Sequence, residues 1–121
     1  MKATSEFIAN LSDVFALFGA IETKRMFGGY GVYRDGLMFA LVADDVLYLK
    51  ADESSVGSFI ELGMEQFEYE KRGKRVKMAY YAAPEEIFEN PVHAREWADR
   101  AYETALRAKR LKGKARVKKS K

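Results

Sequence analysis

Apolar residues recur at helical spacing near the start of the chain. Phe7, Ile8, Leu11, Val14, Phe15 and Phe18 share one face, which predicts an amphipathic helix over 5–18. Thr4 or Ser5 can cap its start, and Gly19 can supply the left-handed residue that ends it. From Ile21 the pattern changes. β-branched and aromatic residues, broken at Gly28-Gly29, Asp35-Gly36 and Asp44-Asp45, predict strands over 29–34, 37–43 and 46–51, joined as an antiparallel meander. Asp35-Gly36 is a two-residue hairpin signal, because both residue types tolerate positive φ.

Val56, Phe59 and Ile60 mark a short helix closed by Gly63. A second hairpin follows, 66–72 and 74–82 about Gly73. Phe67 and Tyr69 alternate with Glu68 and Glu70, and Val76, Met78 and Tyr80 alternate with Lys77 and Ala79. That period of two predicts one covered face and one wet face. Pro84 ends the strand, 85–89 reads as one short helical turn, and Pro91 opens a long helix at its first position. Trp97, Ala98, Ala101, Tyr102, Ala105 and Leu106 form its inner stripe. The helix is expected to run to about Leu111 and fray at Gly113, giving a domain over 1–112 and a disordered basic tail over 113–121. The order α-β-β-β-α-β-β-α implies one α+β domain with helices on one face of a sheet.

Composition narrows the chemistry. The 121 residues contain no Cys and a single His, His93, which leaves no thiolate site, no disulfide and no histidine pair. No apolar run approaches the ~20 residues of a membrane span, and the acidic start lacks the pattern of a signal peptide, so a cytoplasmic protein is expected. The net charge of +3 hides a division. Residues 1–106 hold 12 basic residues against all 18 acids. The segment from 107 on holds nine bases and no acid: Arg107, Lys109, Arg110, Lys112, Lys114, Arg116, Lys118, Lys119 and Lys121. A cationic segment of this density suits a polyanion, since each neutralised phosphate releases a counterion. The plainer alternative is that it folds back on its own acidic body.

Lys24, Arg25, Gly28, Gly29, Tyr30 and Gly31 form a candidate anion or partner site, because clustered glycines can turn backbone N–H groups toward an anion. Rossmann and Walker spacings are both missing, and a bulge or tight bend entering the sheet is the better account of the glycines. If Tyr30 and Tyr33 faced solvent they could stack on bases, although the element order is not that of an RRM. Lys71, Arg72, Lys74, Arg75 and Lys77 crowd the second hairpin turn, where they either grip phosphates or protect a sheet edge. No Gly-x-Ser-x-Gly elbow is present, and the acidic pairs Asp44-Asp45 and Glu85-Glu86 sit at turns and helix starts. No catalytic residue, metal site or cofactor is expected.

The stretch Lys24-Arg25-Met26-Phe27-Gly28-Gly29-Tyr30-Gly31-Val32-Tyr33 resembles the TfoX/Sxy family in its N-terminal domain. The resemblance continues through Gly36-Leu37-Met38-Phe39-Ala40-Leu41, Leu47-Tyr48-Leu49-Lys50 and Met78-Ala79-Tyr80-Tyr81 with Pro84-Glu85-Glu86, and covers about 5–108. It implies a two-layer domain with an antiparallel five-stranded sheet, and a role in regulating competence genes beside a cAMP-receptor-type activator. It supplies no catalytic residues. Fuller members carry a second, helical domain where this chain is expected to have its short basic tail. The expected function is a non-enzymatic regulatory module that works through a protein partner, with nonspecific nucleic-acid affinity from the basic segment. The alternative is a pure protein-interaction or dimerisation domain with no nucleic-acid role.

Overall fold

The computed structural model describes residues 5–26 and 28–119, with side chains placed over 6–26 and 28–112. Thr4, a candidate cap, Phe27 of the glycine-rich stretch and Lys121 of the basic segment lie outside the described residues. The chain folds in the order α1 (Ser5–Val14), β1 (Glu22–Met26), β2 (Gly29–Arg34), β3 (Leu37–Ala43), β4 (Val46–Lys50), α2 (Val56–Glu61), β5 (Gln66–Lys71), β6 (Lys74–Ala82), α3 (Glu86–Glu89) and α4 (Pro91–Lys119). The six strands form one antiparallel sheet in the order β1-β2-β3-β4-β6-β5.

The sheet has six strands where five were expected. The extra one is β1, Glu-Thr-Lys-Arg-Met, which carries almost no apolar alternation. It lies at the sheet edge, pairs with β2 alone and is largely exposed, so it has no buried face to write into the sequence. The α1 helix closes at Val14, four residues before the expected end. Phe15 and Phe18 follow in tight turns, with the Gly19 N–H donating 3.0 Å to the Phe15 carbonyl. At the other end, α4 continues through Gly113 to Lys119, so 113–119 is helical and not a disordered tail. One interior glycine costs a helix only about 1 kcal/mol, and the neighbouring Lys, Ala and Arg are good helix formers.

The hairpins follow their turn chemistry. Asp35-Gly36, Asp44-Asp45 and Arg72-Gly73 each place two successive residues at positive φ, the I′ geometry whose twist matches the strands it joins. A bulge interrupts the β2–β3 ladder: Val32 pairs with Ala40 and Tyr33 with Met38, which leaves Phe39 as an extra residue. Phe39 and Ala40 therefore both face the helices, while Met38 and Leu41 face the other way.

The main core lies between the sheet and its helices. Leu11, Phe15, Phe18, Phe39, Leu49 and Trp97 are among its buried members, and α4 lays Ala94, Ala98, Ala101 and Ala105 flat against it. Small side chains let that helix approach closely, as the alanine stripe implies. Asn90 caps α4 by accepting the Val92 N–H at 2.9 Å, and the Trp97 indole N–H donates 2.7 Å to Glu86, which ties α3 to α4.

Candidate interaction surface

The helices cover one face of the sheet. On the other face lies a second, smaller cluster, with Leu41, Ala43, Phe67 and Tyr80 buried as its floor and Met38, Tyr48, Tyr69 and Met78 half-buried around them. No helix contributes to it among the described residues. The alternation in β5 and β6 has the expected period of two, and the face of Phe67, Tyr69, Met78 and Tyr80 is the one the helices leave open. The opposite face of β6 meets α2, where Tyr81 stacks on Phe59 at 5.5 Å.

On the open face the rings are packed on each other and topped by cations. Tyr48 meets Phe67 edge-on at 4.9 Å, and Tyr69 stacks on Phe67 at 6.1 Å. The Lys24 ammonium lies 4.9 Å from the centre of the Tyr33 ring, and Lys50 lies 5.0 Å from that of Tyr80. Burial raises the Tyr80 hydroxyl to about 12, with a smaller push from Tyr33. Burial also lowers the Lys50 ammonium, and Lys112 on α4 pushes it the same way. Lys50 also lines a groove together with Leu111, which puts this end of the open face beside the basic half of α4.

The candidate set at 24–31 is split by the β1–β2 register. Lys24 pairs with Gly31 and shares the open face with it, whereas Arg25 pairs with Tyr30 and faces the helix side, its guanidinium 6.0 Å from that ring. Gly28 sits in the turn at φ 76°. A Cβ on Gly29 would run into the Val42 carbonyl oxygen, and one on Gly31 would meet the Met26 and Met38 sulfurs and the Tyr33 ring. These two glycines serve close strand packing. The hollow beside Gly29 is about 10 Å³, room for about one water and no larger ligand.

The basic segment is also divided. Arg107 is anchored: its Nε donates 2.8 Å and one terminal nitrogen 3.1 Å to the two carboxylate oxygens of Asp52, and that nitrogen also reaches the buried Thr104 hydroxyl at 3.1 Å. Asp52 further accepts the Ser54 and Ser55 N–H groups at 3.1 Å, so the loop ahead of α2 is clamped to α4. Lys109, Arg110 and Lys112 are exposed; Lys114, Arg116, Lys118 and Lys119 occupy helical backbone positions. At the hairpin turn Arg75 donates 2.9 Å to Glu68, in line with cross-strand charge pairing there.

The Arg107 hydrogen bonds hold the Asp52 carboxyl below its usual value, against the opposing effect of burial. A depressed folded-state pKa adds stability above the ordinary carboxylate value of about 4 and loses it as pH falls through the folded value. Asp52→Asn keeps the turn acceptor and removes the charge. Both side chains are about one-third exposed, so solvent screening limits the expected loss to about 1 kcal/mol at pH 7. Urea unfolding at pH 7 and pH 3 checks this: the gap between wild type and variant should shrink at the lower pH.

A groove of about 510 Å³ opens between α2, the second half of α4 and the helix side of β5–β6, lined by Val56, Gln66, Ala79, Tyr81, Ala108 and Leu111. Neither the groove nor the open face was legible in the sequence as a site. The open face left a trace there, the alternating aromatic and Met positions of four strands, but the trace does not say which side the helices take.

Comparison with known proteins adds relatives. The family described as the TfoX N-terminal domain matches residues 13–105. The chain is 30% identical over 97 residues to Protein Sxy of Escherichia coli (strain K12), which covers 80% of this chain and 46% of that protein. It is 34% identical over 71 residues to the DNA transformation protein TfoX1 of Aliivibrio fischeri, 59% of this chain and 34% of that protein. The chain thus spans less than half the length of both relatives.

Proposed function

This chain belongs to the family of the TfoX N-terminal domain, and we propose that it is a non-enzymatic regulatory module; one of its relatives is named for DNA transformation. It acts through a protein partner and adds sequence-independent attraction to nucleic acid through the second half of α4. The observation that supports the nucleic-acid part is the charge carried on that one helix. Seven bases and no acid lie between Lys109 and Lys119, over about 15 Å of helix axis. The helix dipole favours a basic last turn, but three turns of unbroken positive charge go beyond it. Duplex DNA offers one phosphate charge per ~1.7 Å, a matching density for such a rod. Arg107 is left out of this surface because Asp52 holds it. Phosphate contacts of this kind position without reading bases.

A salt titration of binding to a mixed-sequence duplex tests the nucleic-acid part. Replacing Lys114, Arg116, Lys118 and Lys119 together by Gln should leave the melting temperature within a few degrees. It should also lower the log–log salt slope by about 0.9 for each phosphate released. An unchanged slope rejects it. The regulatory part is tested by expressing the chain in a naturally transformable host lacking its own relative: competence transcripts should change, and unchanged transcripts reject it.

A further inference from the structure

The open face has a direction. At one end of the sheet the register brings together Tyr33 on β2, Met38 on β3, Lys50 on β4 and Tyr80 on β6, with Lys24 over the Tyr33 ring; Tyr69 on the far strand β5 pairs with Val76, four residues nearer the same end along β6. At the opposite end Asp44 and Glu65 are near enough to raise the Tyr48 hydroxyl, together with the larger effect of burial. The basic end adjoins α4, since Lys50 and Leu111 line the same groove. Register also puts Lys71 and Lys74 on this face, against Glu22 as the carboxylate among its strand positions.

We propose that this end of the open face binds single-stranded nucleic acid, with unpaired bases stacking on Tyr33 and Tyr69 across Met38 and Met78, and with Lys24 and Lys50 on the phosphates. From β2 to β5 the path crosses four inter-strand spacings and shifts four residues along the strands, about 23 Å on the diagonal, enough for a few nucleotides. Half-buried rings and thioethers on a sheet, interleaved with lysines, fit the faces of bases, and every base has such a face whatever its sequence. A duplex hides those faces in its own stack. At this end Lys24, Lys50, Lys71 and Lys74 stand against the one strand carboxylate Glu22, a charge balance that suits a polyanion. The phosphate path then continues onto α4, and the proposal extends the nucleic-acid reading of that helix to a strand-specific surface.

The test measures the full chain by fluorescence anisotropy at low salt against three labelled probes: a 12-mer of thymidylate, an abasic 12-mer of equal charge, and a duplex. Thymidylate should bind at least tenfold tighter than the abasic strand. In Tyr33→Leu/Tyr69→Leu that preference should fall to within twofold while duplex binding is unchanged. Lys24→Gln/Lys50→Gln, exchanges at charged side chains outside the core, should weaken thymidylate binding at least fivefold. Equal binding of thymidylate and abasic strands by the native chain overturns the proposal, as does a preference that survives the tyrosine pair, or thymidylate binding unmoved in the lysine pair. Duplex binding that persists in those cases leaves the α4 reading standing; loss of binding to all three probes removes both. A dimer in sedimentation that dissociates on Tyr33→Leu/Tyr69→Leu assigns the face to self-association instead, and also overturns it.

Discussion

Phe39→Ala should destabilise the domain by about 4 kcal/mol, a large part of the 5–15 kcal/mol typical of a domain this size. Phe39 is fully buried and sits where three elements meet. Its ring lies 5.0 Å from Phe18 and 5.7 Å from Phe15, both just beyond α1, and 6.4 Å from Tyr102 on α4. Truncation removes those ring contacts and leaves a cavity that α4 cannot close, since its alanines already lie against the core and have no length to extend. The bulge adds to the cost, because Phe39 is the unpaired extra residue whose side chain gives the bulge its packing. Phe39→Leu should lose clearly less, about 1–2 kcal/mol, as most of the volume is kept. Urea unfolding followed by tryptophan fluorescence reads both: the midpoint should fall with the slope m unchanged.

Gly29→Ala should cost about 3 kcal/mol, unusually much for one methyl group. The residue is not at positive φ, so the conformation itself would accept alanine. The obstacle is the Val42 carbonyl oxygen, into which the new Cβ would project. That oxygen belongs to backbone held in register, since Tyr30 pairs with Val42 and Val42 in turn with Leu47 on β4. Three strands must shift to make room. Gly57→Ala has the opposite sign. It lies inside α2 with nothing within 4 Å of its Cβ position and no positive φ, so alanine should stabilise by about 0.5–1 kcal/mol. Thermal melts of the two variants beside the native chain should move in opposite directions, and a neutral Gly29→Ala would reject the close-approach account of the glycine run.

That run shows how far local sequence carries. Gly28-Gly29-Tyr30-Gly31 was legible as a bend or bulge entering the sheet, and it is a turn followed by close strand packing. Its division into two faces was not legible, because the strand partnering it, β1, has no apolar pattern. The same holds for Arg107. In the sequence it begins a cationic run; in the fold it is a clamp on Asp52, 55 residues away. Nothing in its neighbours distinguishes it from Lys109 or Arg110, and the distinction arises from where α4 crosses the loop ahead of α2.

Short-range rules settled what short-range forces control. Paired positive-φ turns fixed three hairpins, Asn90-Pro91 fixed the start of α4, and the alanine stripe fixed which side of α4 lies inward. The segregation of charge between the body and the final helix is written in the residues alone. Tertiary structure decided the side of the sheet on which the helices lie, and so which aromatics close the core and which stay open to a partner. Alternation fixes a strand's period but is symmetric between its two faces. The symmetry is broken by the long-range pairing of β4 with β6 and by the path of α4, and both depend on contacts between residues far apart in the chain.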